Sequence, residues 1–343
     1  MISDPTAAER ARQTERAGFL AAAGLEGARL AALPADASPR RYFRVEGAPE
    51  PRLLMDVPPG SADFPPFIAI AGHLCRLGLS APRIFVADAA RGLALIEDFG
   101  PDTFTRLIAA GRPEAPLYSL AVDALVALHT APGALALSLP AYDFGPLTEE
   151  LVMFTDWYVP AVDPAADIAA FRADFLALWH EALADLAGRR EAVVLRDYHV
   201  DNLMVIAGRT GVAACGLLDF QDALTGSAAY DLVSLTQDAR RDLAPGLEDA
   251  LVARYLARRP QIDTARFSAD YWLIAAHRHT KIAGNFERLS KRDGKHGYLV
   301  HIPRVLRLLD RALDEAGLTA IRAFLENRLP GWRDYTPTHA GGA

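Results

Sequence analysis

Apolar positions fall into two regimes along the chain. An alanine-rich amphipathic stretch at 6–23 reads as a helix and is followed by a loop at 33–39. Short strand-like runs then occupy 41–45 and 52–57 around a Gly-Ala-Pro-Glu-Pro turn, and 83–87 and 93–97 around Ala-Ala-Arg-Gly, with one helical stretch, 67–77, between the pairs. From about residue 102 the pattern turns helical. Long apolar stretches run over 117–131, 149–159, 166–186, 244–257, 269–288, 301–316 and 320–329. The expected class is α+β: a small mixed β-sheet of order β-β-α-β-β, then a mainly helical remainder, with 336–343 as a disordered tail and no internal repeat. One strand signal interrupts the helical part. Asn202 leads into an apolar run at 203–206, a turn-rich Ala207-Gly-Arg-Thr-Gly211 and a second apolar run at 212–218 that ends at Asp219. Two such runs around glycines form a β-hairpin, with Asn202 and Asp219 together at its open end.

Composition narrows this picture without changing it. A chain of 343 residues, 51% hydrophobic and 23% charged, can bury a sizeable core and has room for two lobes. A net charge of -7 argues against a nucleic-acid surface. Cys75 and Cys215 are far apart and suggest neither a disulfide framework nor a zinc site; His277, His279, His296 and His301 also lack a recurrent ligand spacing. The first residues carry acidic side chains and no signal-peptide core, and no stretch approaches the roughly 18 apolar residues of a membrane span. The expectation is a cytoplasmic protein that meets a small molecule, with no nucleic acid, no membrane and no obligate protein partner.

Asp197, Asn202 and Asp219 change the picture most. An Asp followed five residues later by Asn, with a second Asp closing an apolar run, supplies a base and two oxygen ligands for magnesium, as phosphoryl transfer requires. The nucleotide's phosphates also need cations. All three lysines, Lys281, Lys291 and Lys295, lie near the carboxy terminus, so none falls on the strand at 53–56. Arg40, Arg41 and Arg44 are the candidates, because guanidinium groups bind phosphate oxygens through paired donors. Strand alternation allows only one or two of them to face the phosphates, and the plain alternative is a solvated strand face. His199 either contacts substrate or braces the loop, and a lone histidine more often packs. Gln221 and Asp222 are candidates for the acceptor side. Asp156, beside Trp157 and Tyr158, offers a carboxylate and aromatic faces suited to a sugar. The basic stretch that includes Arg278, Lys281 and Arg292 reads as a solvated face or as a pocket for an anionic or acetamido group.

The run Leu195-Arg-Asp-Tyr-His-Val-Asp-Asn-Leu-Met204 with Gly216-Leu-Leu-Asp-Phe-Gln221 resembles the catalytic segment of the aminoglycoside and choline kinase-like phosphotransferases. There a His-Gly-Asp leads into a His and an Asn, and an Asp closes the next strand. This chain keeps Asp197, His199 and Asn202 but has Leu195-Arg196 in place of His-Gly. Ser38-Pro-Arg-Arg-Tyr-Phe-Arg44, Met55-Asp-Val-Pro-Pro59, Leu218-Asp-Phe-Gln-Asp-Ala223, Tyr230-Asp-Leu-Val-Ser-Leu235 and Arg292-Asp-Gly-Lys-His-Gly-Tyr298 are more specifically similar to a bacterial family of amino-sugar kinases. Its members phosphorylate N-acetylmuramate and N-acetylglucosamine at the anomeric carbon. The resemblance implies a protein kinase-like two-lobed fold: an N-terminal helix and small lobe at 1–97, a hinge at 98–101, and a helical large lobe at 102–335 carrying the catalytic hairpin. It also implies ATP and magnesium as cofactors, adenine contacts at Glu97, Asp98 and Phe99, a bracing role for Asp231, and a sugar 1-phosphate product. The other readings are a kinase for an aminoglycoside, choline or amino alcohol, and a non-catalytic nucleotide-binding scaffold, the latter motivated by the missing strand lysine.

Overall fold

The computed structural model describes residues 7–34 and 40–337; Thr6, Ser38, Pro39 and the part of the expected tail at 338–343 lie outside the described residues. Contacts divide the chain into two compact units, Met1–Gly133 with Val200–Asp222, and Ala134–His199 with Ala223–Ala343.

The first unit opens with α1 (Ala7–Ala22), β1 (Arg29–Ala32), β2 (Arg41–Glu46), β3 (Arg52–Asp56), α2 (Phe64–Arg76), β4 (Ile84–Asp88) and β5 (Leu93–Glu97), followed by α3 (Phe104–Ala109) and α4 (Glu114–Thr130). The sheet has the order β1-β2-β3-β5-β4, and every pairing in it is antiparallel, in place of the mixed sheet expected. β1 is a strand the sequence does not announce: Arg-Leu-Ala-Ala alternates poorly, and only pairing with β2 makes it a strand. Phe19, Leu20 and Leu25, at and just after the end of α1, bury against Val45, Leu54, Leu93 and Leu95 of the sheet. Arg12 and Arg16 on α1 add ion pairs of 2.5 Å each to Asp56, the last residue of β3. α2 begins three residues earlier than expected, because its two prolines sit in the first turn, where a missing N–H costs nothing.

Four short strands lie further along, β6 (Ala192–Val194), β7 (Leu203–Val205), β8 (Cys215–Leu217) and β9 (Leu224–Gly226). β7 and β8 form the expected hairpin, with Leu203 opposite Leu217. It belongs to the first unit because Val205 N–H donates to the Asp102 carbonyl at 2.9 Å and Leu217 N–H to the Ser80 carbonyl at 2.8 Å. A unit defined by contacts is therefore wider than the lobe expected at 1–97.

The second unit is mainly helical: α5 (Phe144–Met153), a π-helical turn at Phe154–Tyr158, α6 (Val159–Val162), α7 (Ile168–Leu183), α8 (Tyr230–Thr236), α9 (Leu247–Ala257), α10 (Thr264–Asp293), α11 (Ile302–Glu315) and α12 (Thr319–Arg328), with β6 and β9 paired antiparallel. Phe154, Phe171, Phe175 and Trp179 are fully buried aromatic neighbours in its core. α10 runs for 30 residues, well past the apolar stretch at 269–288. Its ends are set by polar signals instead: Asp263 caps the Ala265 and Arg266 N–H groups at 3.0 and 3.1 Å, and Gly294 takes φ 68° beyond the last turn. In its middle, Gly284 lies against the end of α5 so closely that a Cβ there would sit 2.3 Å from the Met153 carbonyl carbon.

Candidate functional site

In the first unit the hairpin delivers the two expected metal ligands to one place. Leu218 N–H donates to the Asn202 carbonyl at 3.0 Å, and Asn202 Nδ2 lies 3.5 Å from Asp219 Oδ2. The donor set is all oxygen, which suits a hard divalent cation. Among the described residues there is no cluster of three or more His, Cys, Asp or Glu able to hold a metal, so an ion at this pair would draw its remaining ligands from water and phosphate oxygens. Asp219 takes a positive φ of 57°, a strained conformation for a residue other than glycine that aims its carboxylate off the strand. Arg40 completes the group. Its Nη2 lies 2.9 Å from Asp219 Oδ1 and its Nη1 donates to Gln221 Oε1 at 2.8 Å, while Gln221 Nε2 bridges Asp219 and Asp222 at 3.1 Å each. The Arg40 side chain is 10% exposed. Burial works against its charge, but Tyr42, Asp219 and Asp63 outweigh it and raise its pKa.

The other two arginines have different partners. Arg41 is exposed and pairs with Glu9 at 3.2 Å, and Arg44 pairs with Asp98 at 2.6 Å. The expected adenine segment is also partly engaged: Glu97 N–H donates to the Arg83 carbonyl at 2.9 Å and Asp98 N–H to that of Pro51 at 3.1 Å. Phe99 is buried with Met204 and Ile206, and its ring lies where a Cβ on Gly216 would fall, 2.8 Å from Cδ2.

In the second unit Asp197 sits on a loop pinned from several sides. The Asp231 carboxylate accepts the Leu195 and Arg196 N–H groups at 2.7 and 2.9 Å, while Arg278 Nη1 and Ser234 Oγ donate to the Arg196 carbonyl at 3.0 and 3.2 Å. Asp231 thus braces the loop from the first turn of α8 and does not cap that helix, whose N-cap is Ala229. Burial pushes Asp231 up to about 7 against the pull of those two N–H groups. Arg196 takes φ 69°, the conformation a glycine at this position would adopt freely. For Asp197, burial is outweighed by the charges of Lys281, Arg278, His199 and Arg196, and its pKa falls below the usual carboxylate range. His199 is buried, its Nε2 faces Arg240 Nη1 at 3.3 Å, burial and Arg240 lower its pKa, and the ring braces the loop.

Glu150 and Lys281 form a feature the sequence reading missed. Glu150, 2% exposed, accepts Arg196 Nη2 at 2.5 Å and Lys281 Nζ at 2.7 Å on one oxygen and the Tyr142 hydroxyl at 2.5 Å on the other. In sequence Glu150 is an ordinary acidic residue early in an amphipathic helix, and nothing local marks it. Asp156 pairs with Arg172, and Tyr158 is a core residue stacked on Phe154 with its hydroxyl on the Trp332 carbonyl, not a sugar platform. Arg292 is exposed and pairs with Asp293 at 2.7 Å. No helix among the described residues is long and apolar enough to cross a membrane.

Comparison with known proteins adds the context. Residues 29–268 match the model of the phosphotransferase enzyme family. The chain is 37% identical to an N-acetylmuramate/N-acetylglucosamine kinase of Caulobacter vibrioides across 93% of this chain and 97% of that protein. It is 34% identical to the protein of the same name from Pseudomonas aeruginosa, across 83% and 84%. A choline/ethanolamine kinase family protein from Mesorhizobium loti, 15% identical, superposes with a TM-score of 0.59 over 91% of this chain and 99% of that one, which shows a protein kinase-like fold.

Proposed function

The chain belongs to the phosphotransferase enzyme family, and from that premise we propose that it is an ATP- and magnesium-dependent kinase for the anomeric hydroxyl of N-acetylmuramate and N-acetylglucosamine. The product is the sugar 1-phosphate, and the role is in peptidoglycan recycling. The observation that carries the acceptor is the near full-length similarity to kinases named for these two sugars. The reaction class has independent support in the residues: one carboxylate positioned as a base and one oxygen-only pair on a hairpin.

Magnesium, when bound, neutralises charge on the phosphates. Asn202 and Asp219 are the residues that hold it, and Arg40 is the cation beside them that takes phosphate oxygens in place of a strand lysine. A base at the 97–99 segment draws its backbone donor from Phe99, since the N–H groups of Glu97 and Asp98 are already used. Asp197, held ionised by its cationic surroundings, accepts the hydrogen bond of the acceptor hydroxyl and keeps it aligned for attack; positioning and charge do most of the work in such reactions. The braces on residues 195, 196 and 199 fix that carboxylate.

The test is ADP release with purified protein, ATP and magnesium against N-acetylmuramate, N-acetylglucosamine, kanamycin and choline, followed by phosphorus NMR. An anomeric phosphate on either amino sugar is expected. Turnover of kanamycin or choline alone would overturn the acceptor but keep the chemistry, and nucleotide binding without turnover of any of the four would favour a scaffold.

A further inference from the structure

Three cations meet around Asp197 in the second unit: Arg196, Arg278 and Lys281. Their partners are unequal. Arg196 and Lys281 converge on the same Glu150 oxygen, at 2.5 and 2.7 Å, while the other Glu150 oxygen is taken by Tyr142. Arg278 hydrogen-bonds only neutral acceptors, the Arg196 carbonyl and the Tyr230 hydroxyl, at 3.0 and 3.2 Å. The Nε atoms of Arg196 and Arg278 are buried without a hydrogen-bond partner, and Lys281 spends one donor of three, on Glu150. Of the carboxylates nearby, Asp197 and Glu150 are held ionised, but Asp231 is pushed up to about 7 by burial. Three cationic side chains thus face two firm negative charges, and two of the cations share one oxygen. A further anion would relieve both conditions.

Lys281 is the member of this group placed to meet a ligand. Its side chain is 14% exposed, and it lies one turn after Arg278 on the same face of α10. Glu150, almost fully buried on α5, holds the ammonium in place. The groups expected to hold phosphates, Arg40, Asn202 and Asp219, are all carried by the first unit. Lys281 is carried by the second, together with Asp197, whose reaction partner is the acceptor.

We propose that Lys281, fixed by Glu150, is the specificity residue that recognises a carboxylate on the acceptor sugar. The inference rests on the amino-sugar kinase reading and deepens it: the acidic sugar is bound through its carboxylate, and the neutral one forgoes that contact. Arg196 contributes to the same positive field.

The experiment compares N-acetylmuramate with its methyl ester, which removes the charge and keeps the ring, using wild-type protein, K281M and K281R. The wild-type protein should prefer the acid through a lower KM. In K281M the acid-to-ester ratio of kcat/KM should collapse by about 10-fold or more, whatever loss the two acceptors share, because a charge-assisted hydrogen bond is removed from only one of them. K281R should retain most of the preference. Wild-type protein that treats acid and ester alike overturns the inference without reference to any variant. So does a K281M enzyme whose kcat falls equally for both while their ratio is kept, since Lys281 would then act on Asp197 or on the transferred phosphoryl group. Wild-type protein silent with both N-acetylmuramate and N-acetylglucosamine would instead sink the functional reading, and this inference with it.

Discussion

The candidate metal pair in the first unit stands on two three-residue strands and half-exposed side chains, whereas Asp197 in the second is surrounded by buried charges that brace one another. Asn202 and Asp219 owe their placement to hairpin register, and Arg40 and Gln221 add side-chain support to Asp219. The loop of Asp197 is held through its own backbone by Asp231, Arg278 and Ser234, and Glu150 anchors the cations that set its charge. A site of the first kind can adjust to ligands as they arrive. One of the second kind is pre-organised, and its errors are costly because each buried charge depends on the others. The proposed chemistry fits the division: phosphates and a metal bring their own charge and water, whereas a neutral hydroxyl must be aligned by the protein.

The sharpest way to break this contrast is to remove the central carboxylate of each site. Asp197→Asn should lower kcat by about a thousandfold, the range for a positioned base, with the magnesium dependence unchanged and the fold retained by circular dichroism. Asp219→Asn should also lose activity, but part of the loss should return at high magnesium. If both variants respond alike to magnesium, the two sites do not divide the work in this way.

Two glycines test rigidity itself. A Cβ at Gly284 would meet the backbone of Met153 and Phe154 at 2.3–2.5 Å, and a backbone cannot step aside. Gly284→Ala should therefore cost about 3 kcal/mol in denaturant unfolding. A Cβ at Gly216 would meet the Phe99 ring and Ile206, at 2.8–3.2 Å. Those are side chains, so Gly216→Ala should cost about half as much, while moving Phe99 and weakening nucleotide binding. Equal losses would mean that the first unit is as unyielding as the second.

This division also governs what could be read from the chain. The hairpin that brings Asn202 and Asp219 together was legible because it is local: the two residues lie 17 positions apart with turn signals between them. The α1 helix, β5 and most helices were legible from periodicity for the same reason. Glu150 was not, because its meaning depends on Arg196 and Lys281, 46 and 131 residues away, and no local pattern records a partner at that distance. The ends of α10 were missed because capping residues, not apolar spacing, set them. Among the three arginines, alternation could limit the choice but could not see that Arg41 meets Glu9 and Arg44 meets Asp98.

Arg40 offers a test of intermediate size. Arg40→Ala should raise the KM for ATP roughly 10- to 100-fold, the range for a lost charge-assisted contact, with kcat falling less. Arg41→Ala and Arg44→Ala should each stay within about threefold, as both guanidinium groups are largely exposed. Arg40→Lys should recover part of the loss, since it restores the charge but not the paired donors. A kcat-only effect in Arg40→Ala would place the residue at the transferring phosphoryl group instead of the bound nucleotide.

The smallest effect, and the finest comparison, concerns backbone strain. Among the described residues Arg196 and Asp219 are the non-glycine positions with positive φ, 69° and 57°, and each adjoins or is a candidate site residue. At Arg196 the left-handed conformation costs about 1 kcal/mol. Arg196→Gly removes that strain but also loosens the unfolded chain by a similar amount, and it takes one of two cations from Glu150, which keeps Lys281 and Tyr142. The net cost should be only about 1 kcal/mol. Arg196→Ala loses the same ion pair, keeps the strain and does not loosen the unfolded chain, so the two variants should be about equal in stability, erasing the usual advantage of alanine over glycine. If alanine proves the more stable, the loop has relaxed out of the left-handed region, and Asp197 is held by its side-chain neighbours alone. In the first unit, where fewer backbone bonds oppose relaxation, Asp219→Ala should regain part of that advantage over Asp219→Gly.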